Sequence, residues 1–458
     1  MTMTHHIESG ELAMPSICPE GHVPSYVPIY PMGAHLNRME RAGDLLIQQG
    51  RATDAEVERS LAFTRRAHDL YVGRQEPDGA GSFVFAVPTR VTRANGHLYP
   101  SEITPFLPMV KNCSGREMLY LLDSMPPSVI ESYAPDSKGR RGHVLFVPLF
   151  GDILGDMQRA PKRAFGDRRG EEIGNKIAGL IALTVINQAA SFAKKRLGAE
   201  VMGLGAVLPA LTDYGRRIRV KGLTTTTGHG GTVALIGDTV EKVIEDTGIT
   251  NDRIGVIGGA GSIGRSSLAL LLEKYPSTKF VVHDVRSMDR VMSSLSSTDR
   301  ARVIVAGAMD GVFQEADVVV SAITSTVNFA RDFPGIDLSR KIIIDDSQPG
   351  AFDRGEVESL GGKVVWVVGD DTSSDSTTTR VGGYLFGDHT GLMVNSNVWG
   401  CEAEAAAIAR NRRYDLALRS AVTPQAARKI GGLLRSTGIG VAPFQSFGKP
   451  VDLPAVAR

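Results

Sequence analysis

A glycine-rich segment, preceded by an apolar one, carries the clearest chemical signal in the sequence. Gly259, Gly261 and Gly264 follow the β-branched run Ile254–Ile257 with GxGxxG spacing. At a strand-to-helix turn we expect Gly259 to permit the tight turn, Gly261 to bring the backbone close to a pyrophosphate, and Gly264 to let helix pack on strand. Free N–H groups at the helix N-terminus attract phosphate. The pattern therefore predicts a dinucleotide-binding βαβ unit over residues 253–286.

The residues expected to contact this dinucleotide extend beyond the three glycines. They are Gly259, Gly261, Ser262, Ile263, Gly264, Asp284, Arg286, Ala322 and Thr324. Asp284 ends the second predicted strand, where a carboxylate favours a free ribose 2′-hydroxyl and hence NAD. Arg286 favours a 2′-phosphate, as in NADP, because a guanidinium suits phosphate recognition. The two side chains favour different cofactors, so both NADPH and NADH stay open.

A cysteine at the expected start of a helix is the candidate nucleophile. Cys401 follows Asn397 and Gly400, which are plausible helix-start residues, and precedes an Ala/Glu-rich run with high helix propensity. Free N–H groups and the helix dipole at that position are expected to lower the pKa of the thiol towards neutrality. A thiolate beside a nicotinamide could take up an acyl group and hold it for reduction by hydride. The alternative, which the pattern alone favours, is a cysteine packed as a small hydrophobic residue.

Other polar residues are weaker candidates for chemistry. Cys113, near a lysine, is a second thiol, and Cys18 lies in an irregular segment. His389 falls 12 residues before Cys401 and is the candidate general acid or base, although a loop histidine is more often a surface residue. The further polar candidates are Tyr214, Lys176 and Asp346. No cysteine spacing predicts a metal site.

Composition limits the classes to which the chain can belong. Its 458 residues, 42% hydrophobic and 22% charged, suffice for two or three buried cores. The 51 basic and 50 acidic residues nearly cancel, which argues against nucleic acid or an anionic membrane surface as a partner. No apolar run approaches the roughly 18 residues of a membrane span, and the first residues lack the pattern of a secretory signal. Three widely spaced cysteines are typical of reduced thiols, so we expect a cytoplasmic enzyme.

The elements that position the candidate residues follow from hydrophobic periodicity. We expect helices over 35–70, 171–197 and 233–246, and a buried strand within 143–154. From residue 253, six short apolar runs alternate with helical stretches, as in a parallel sheet covered by helices. They are Ile254–Ile257, Phe280–Val282, Val303–Val305, Val318–Val320, Ile342–Ile344 and Val364–Val368. The predicted fold class is α/β, with a doubly wound Rossmann domain and an α/β substrate domain.

Three regions are expected along the chain. Residues 1–140 would form an N-terminal extension of unknown role, and residues 251–395 the Rossmann dinucleotide-binding domain. Residues 141–250, with part of the C-terminus (about 400–458), would form the domain that binds the substrate. Cys401 would then lie in the cleft between the two domains.

Several short motifs follow one another within about residues 145–410: Gly203–Ala206, Thr226–Gly228, Gly259–Gly264, Arg286, Ile344–Pro349 and Cys401–Ala405. Their order and spacing resemble those of the long-chain acyl-ACP reductases of cyanobacterial alkane synthesis. The resemblance implies that Cys401 takes an acyl group from an acyl carrier protein or coenzyme A thioester, and that NADPH reduces it to an aldehyde. It also implies that Arg286 favours the 2′-phosphate, and it makes catalysis the favoured role of Cys401.

The chain departs from that family within its motifs. His229 and Gly231 stand where the family has Asn and His, Asp346 and Ser347 stand where it has two glycines, and Asp284 occupies a non-acidic position. Residues 1–140 have no recognised counterpart. The acyl chain and its carrier are therefore expected to differ from those of alkane production.

Three functions stay open at this point. The first is reduction of an acyl thioester through an acyl-cysteine, with an aldehyde-consuming enzyme as a further partner. The second is an NAD(P)-dependent alcohol or hydroxy-acid dehydrogenase, related in fold to shikimate dehydrogenases, without covalent catalysis. The third is a non-catalytic Rossmann module that senses cofactor. Fold alone does not separate them, whereas the role of Cys401 does.

Overall fold

The computed structural model describes eleven stretches of the chain. They are residues 33–77, 81–89, 92–94, 97–99, 125–133, 141–150, 167–347, 350–372, 379–380, 392–394 and 396–453. Three predicted candidates, His389, Cys113 and Cys18, lie outside the described residues. Within these stretches, no helix has both the length and the apolar character needed to cross a membrane.

In the described part of the N-terminal half, two helices are followed by five strands, after which helices and strands alternate. The elements are α1 (Gly33–Gln48), α2 (Asp54–Val72), β1 (Gly81–Thr89), β2 (Thr92–Ala94), β3 (His97–Tyr99), β4 (Ser128–Ser132), β5 (Arg141–Phe150), α3 (Asp167–Lys195), β6 (Val201–Leu204), α4 (Leu208–Leu211), β7 (Thr224–Thr226) and α5 (His229–Thr247). The start of α5 lies four residues before the predicted one. The segment Thr226–Gly228 therefore leads directly into a helix.

Strands β1 and β4–β7 form a six-stranded mixed sheet that a short later strand, β15 (Thr379–Arg380), completes in the order β15-β4-β5-β1-β6-β7, whereas β2 and β3 pair only with each other. Strand β1 pairs in parallel with β5 on one side and β6 on the other. Its residues Phe83–Val87 are buried, as a strand inside a sheet requires. Strands β1 and β4, which belong to the predicted N-terminal extension over 1–140, are thus part of the same sheet as β5–β7. Local periodicity does not show which distant strands pair, so this pairing could not be predicted from the sequence.

The second half of the chain contains the predicted Rossmann domain. Its elements are β8 (Arg253–Ile257), α6 (Ser262–Lys274), β9 (Lys279–His283), α7 (Asp289–Ser294), α8 (Ser297–Arg300), β10 (Val303–Val305), α9 (Met309–Glu315), β11 (Val318–Ser321), α10 (Phe329–Asp332), β12 (Ile342–Asp345), α11 (Arg354–Ser359) and β13 (Lys363–Trp366). All neighbouring strands are parallel, in the order β10-β9-β8-β11-β12-β13. This is the doubly wound dinucleotide-binding order, so the predicted fold class is confirmed.

The C-terminal segment leaves the Rossmann sheet earlier than predicted. It comprises β14 (Val368–Asp371), β15, β16 (Asn397–Trp399), α12 (Gly400–Asn411), α13 (Pro424–Ser436), β17 (Ile439–Val441), β18 (Gln445–Ser446) and β19 (Lys449–Pro450). The apolar run Val364–Val368 is divided, because Val368 begins a strand of a separate antiparallel sheet, β16-β14-β17. Helix α12 packs on α5 and on β1 and β6, and α13 packs on α5 and α6. The C-terminal helices thus hold the two large sheets together around α5.

Candidate active site

A cavity of about 340 Å³ lies where the carboxyl ends of strands from both large sheets meet. The first sheet contributes the ends of β1 and β6, with apolar side chains such as Phe85 and Leu204. The Rossmann sheet contributes the segments after β11 and β12, and the starts of α5 and α12 complete the wall. Ligands of doubly wound sheets bind beyond the carboxyl ends of the strands, where the strand order reverses. The cavity is therefore the candidate active site.

The glycine-rich turn has the close contacts that a dinucleotide cradle requires. Gly258 has a positive φ of 85°, and a Cβ on Gly264 would lie 2.1 Å from the Gly258 carbonyl oxygen. A Cβ on Gly259 would lie 2.3 Å from Val282 Cγ1. Gly258 adopts the left-handed conformation in this turn, and the absence of a side chain on Gly259 leaves room for β9. Gly261 precedes α6 and offers no side chain to cap it, so the residues present fit a pyrophosphate at this helix start.

Asp284 and Arg286 form an ion pair beside this turn. The Asp284 carboxylate accepts hydrogen bonds from the Ala260 N–H at 2.9 Å and from Arg286 Nε at 3.1 Å and Nη2 at 3.2 Å. Burial raises the pKa of Asp284, but the hydrogen bonds from Arg286 and Ala260 outweigh it and hold the pKa below its ordinary value. The Asp284 side chain is 4% exposed and that of Arg286 63%. From the sequence, Asp284 favours NAD and Arg286 favours NADP. In the structure the two side chains are paired, and Arg286 is the one accessible to a ligand.

The other predicted cofactor residues lie on the cavity or at its edge. Ile263, Ala322 and Thr324 line it, and Ser262 is the first residue of α6. The Ser262 Oγ lies 3.4 Å from Nδ1 of His229, which also lines the cavity. The cofactor turn and the start of α5 are therefore in direct contact.

Cys401 lies in the first turn of α12, where the start of that helix meets the start of α5. A Cβ on Gly228 would lie 2.4 Å from the Cβ of Cys401, and a Cβ on Gly231 would lie 2.1 Å from the Gly400 carbonyl oxygen. Only glycine at these positions allows the helix starts to approach so closely. Cys401 is partly exposed, and it faces the cavity together with Ala322.

The predicted lowering of the Cys401 pKa is contradicted. Burial raises the pKa of the thiol above its ordinary value, and the negative charges of Asp346 and Glu402 raise it further. The backbone N–H groups of Glu402 and Cys401 lower the pKa, as donors at a helix start should, but their effect is smaller. The sequence showed the helix start and the neighbouring Glu402, but neither the burial of the thiol nor the approach of Asp346. Attack by this sulfur therefore requires a partner that removes its proton.

Two buried glutamates of α12 anchor the helix that carries Cys401. Glu402 accepts a hydrogen bond from the Tyr133 hydroxyl of the β4 segment. Glu404 accepts one from the Thr226 hydroxyl and one from the Gly231 N–H, the latter at 2.7 Å. Burial raises the pKa of both carboxyl groups to about 7. These bonds fix α12 to the first sheet and to α5.

Two titratable side chains on the cavity were not predicted as catalytic residues from the sequence, which marked them only as a weak polar candidate and a departure from a motif. His229, the first residue of α5, packs edge-on against Tyr214 with ring centroids 6.2 Å apart, and burial lowers its pKa to about 4. Asp346 follows β12, and burial together with the charge of Asp345 raises its pKa well above the ordinary value. The position of His229 immediately after Thr226–Gly228 is the one sequence signal that could have identified it. Nothing is described for the side chain of Lys176.

Comparison with known proteins gives structural similarity alone. No protein-family model matches the chain, and no curated protein matches it. A dipicolinate synthase subunit from Bacillus halodurans is 17% identical with a TM-score of 0.26, covering 40% of this chain and 61% of its own length. L-tryptophan dehydrogenase from Nostoc punctiforme is 12% identical with a TM-score of 0.27, and the similarity covers 65% of this chain and 77% of that one. D-mandelate dehydrogenase from Rhodotorula graminis is 12% identical with a TM-score of 0.24, and the similarity covers 63% of this chain and 79% of that one.

These similarities are low, and the chain spans less than two thirds of the length of the dipicolinate synthase polypeptide. The architecture therefore rests on the strand order and glycine contacts of this chain itself. On those grounds the chain contains the Rossmann-type domain that nicotinamide-dependent oxidoreductases use to bind dinucleotides.

Proposed function

We propose that this protein is an NAD(P)H-dependent oxidoreductase that reduces an acyl thioester to an aldehyde through an acyl group carried on Cys401. The observation that supports it most is the position of Cys401, which faces the same cavity as Ala322 and Thr324 at the carboxyl end of β11. In a doubly wound domain this edge is where the reactive end of a dinucleotide is expected. A thiol there is suited to hold an acyl carbon within reach of hydride.

The residues of the chain would each serve one part of this reaction. Cys401 attacks the thioester carbonyl, and the first-turn N–H groups of α12 stabilise the charge that develops on oxygen. Apolar side chains such as Phe85, Leu204 and Val207 exclude water and contact the acyl group. A bound NAD(P)H supplies the hydride. The acyl donor is an acyl carrier protein or coenzyme A thioester, as the resemblance to acyl-ACP reductases suggests.

NADPH is the proposed cofactor, because the accessible charge beside the turn is that of Arg286. Asp284 is engaged by Arg286 and Ala260, so its carboxylate holds the guanidinium in place. Replacing Arg286 by Ala should weaken NADPH binding by about tenfold, which is about 1.4 kcal/mol and the order of one exposed charged hydrogen bond. NADH binding should stay within about twofold.

Fluorescence titration with both reduced dinucleotides measures these constants, with Arg290→Ala, an exposed arginine of α7, as the matched control. An equal loss of affinity for NADH and NADPH in Arg286→Ala would contradict recognition of the 2′-phosphate.

A non-covalent alcohol or hydroxy-acid dehydrogenase is the second candidate. It is favoured by the raised pKa of the Cys401 thiol and by two other titratable groups, His229 and Asp346, on the same cavity. Such an enzyme needs a group that donates or accepts one proton but no nucleophile. Its activity would be insensitive to Cys401→Ala.

Mass spectrometry of the acylated protein separates the two candidates. Wild-type protein is mixed with octanoyl-coenzyme A or octanoyl-ACP without dinucleotide, and the peptide that contains Cys401 is analysed. We expect an octanoyl adduct on Cys401 that disappears on addition of NADPH and is absent from Cys401→Ala. An adduct that is absent from the wild type, or equally present in Cys401→Ala, rejects the covalent mechanism.

A further inference from the structure

Two titratable side chains share the cavity with the Cys401 thiol. His229 begins α5 directly after Gly228. Gly228 packs so closely on Cys401 that a Cβ on this glycine would lie 2.4 Å from the cysteine Cβ. Asp346 lies on the opposite, Rossmann wall, near enough for its charge to affect the thiol. An imidazole and a carboxyl from different elements thus line the same cavity as the Cys401 thiol.

The imidazole of His229 is held in a defined orientation. Its Nδ1 lies 3.4 Å from Ser262 Oγ, and the Tyr214 ring packs against it edge-on. With Nδ1–H donating to Ser262, the lone pair of Nε2 is directed away from the serine and available to a proton. Because burial keeps the pKa of His229 at about 4, the ring is neutral at pH 7 and can accept a proton.

Asp346 has the opposite character. Its backbone N–H donates to the Ser321 carbonyl oxygen at 3.1 Å, which fixes the residue at the carboxyl end of β12. Its carboxyl retains a proton to higher pH than an ordinary aspartic acid, because it is buried beside Asp345. A buried carboxyl that keeps its proton can donate a hydrogen bond, and a neutral imidazole can accept a proton, so the two groups can take opposite parts in one active site.

We propose that His229 and Asp346 are the base and the acid of this cavity: His229 accepts the proton of the Cys401 thiol, and Asp346 donates a hydrogen bond to the carbonyl oxygen of the acyl group. The role of Asp346 rests on the thioester reduction proposed above, whereas that of His229 requires only the thiol. Other titratable groups around the pair are Tyr214 beside the imidazole, Asp345 beside Asp346, and Glu402 and Glu404 on α12.

The bonds and protons balance over two steps. As the sulfur of Cys401 bonds to the thioester carbon, its proton passes to His229, and the leaving thiolate of the carrier takes that proton as its bond to carbon breaks. Hydride then adds to the acyl carbon while Asp346 stabilises the oxygen. The carbon–sulfur bond to Cys401 breaks, the aldehyde forms, and the cysteine thiolate regains one proton from water through His229. The sum is thioester, NADPH and one proton to aldehyde, thiol and NADP⁺.

Alkylation of Cys401 by iodoacetamide tests the role of His229 without any acyl substrate. The rate is followed from pH 5 to 9 on the Cys401 peptide by mass spectrometry. In His229→Asn we expect the rate at pH 7 to fall by about tenfold or more, the lower end of what a general base contributes. In this variant the alkylation rate of Cys401 should rise steadily with pH up to the pKa of the thiol. His283→Asn, a histidine outside the cavity wall, is the matched control and should follow the wild type.

Single-turnover reduction of the octanoyl-enzyme tests the role of Asp346. Asp346→Asn should still form the adduct but reduce it about tenfold or more slowly. Reduction at the wild-type rate overturns the role of Asp346, and an alkylation profile of His229→Asn that overlays the wild type overturns that of His229. If no octanoyl adduct forms in any variant while the alkylation profile depends on His229, the thioester function fails and the base assignment stands. Thermal unfolding and NADPH binding confirm that each variant is folded.

Discussion

The two ends of the cavity are built in different ways. The dinucleotide end is one continuous segment, in which β8, the glycine turn and α6 follow each other within residues 253–274. The cysteine end joins α12 to distant parts of the chain: Tyr133 bonds to Glu402 across 269 positions and Thr226 to Glu404 across 178. A local motif can thus bind its ligand through its own backbone, whereas the thiol depends on the packing of several elements. Substitutions at the two ends should therefore have separable effects.

The largest expected effect is at the dinucleotide end. In Gly264→Ala the new Cβ would lie 2.1 Å from the Gly258 carbonyl oxygen, a backbone atom that cannot move aside without opening the turn. Overpacking of this kind costs about 1–3 kcal/mol, which corresponds to up to about 100-fold weaker NADPH binding if the turn opens. Alkylation of Cys401 should remain at the wild-type rate. The control is Gly307→Ala, whose Cβ would meet nothing within 4 Å.

A smaller effect, of the opposite kind, is expected at the cysteine end. Gly228 has a φ of 72° and its Cβ would press on Cys401, so Gly228→Ala combines backbone strain with a clash. We expect a loss of about 2 kcal/mol in the free energy of unfolding and an altered alkylation rate of Cys401. Urea denaturation and NADPH titration measure the two properties. Unchanged stability, or a loss of NADPH affinity as large as that in Gly264→Ala, would break the distinction between the two ends.

Gly432→Ala is the matched control for Gly228→Ala. It lies in α13 with open space around its Cβ position, and the substitution should stabilise the protein by about 0.5–1 kcal/mol.

A pH dependence of stability is expected from Glu404. Burial raises its pKa in the folded protein to about 7, from an ordinary value of 4.5. The folded state therefore binds the proton more tightly than the unfolded state, and this contribution is complete below about pH 4.5 and lost as the pH rises through about 7. In Glu404→Gln, which does not titrate, the melting temperature relative to wild type should rise between pH 5 and 8. Glu273→Gln, on the surface of α6, should show no such trend, and equal trends in both variants would contradict the assignment.

The sequence was informative where a feature is local. The Rossmann domain, the residues of its turn and the helix start at Cys401 were all readable from contiguous patterns, because glycine spacing and apolar periodicity act over a few residues. Three other features could not be predicted from such patterns: the role of Gly258, the end of the Rossmann sheet at Trp366 and the place of β1 inside the first sheet. Each depends on contacts with segments that the local pattern does not identify.

The chemistry of the cavity shows the same division. His229 and Asp346 lie 117 positions apart in the sequence, and their residue types alone gave no reason to connect them. The folded chain brings both onto the cavity wall around Cys401. It also buries the thiol beside carboxyl groups, so the pKa of Cys401 is raised where the helix start alone predicted that it would fall.

The sequence by itself determined that a dinucleotide turn and a helix-start cysteine exist, because glycine spacing and helix propensity are properties of neighbouring residues. Only the tertiary structure decided that the two face one cavity, since that requires α5 and α12 to meet through Gly228 and Gly231. It also decided the protonation of the groups around the thiol, because burial and charge come from residues brought together by folding.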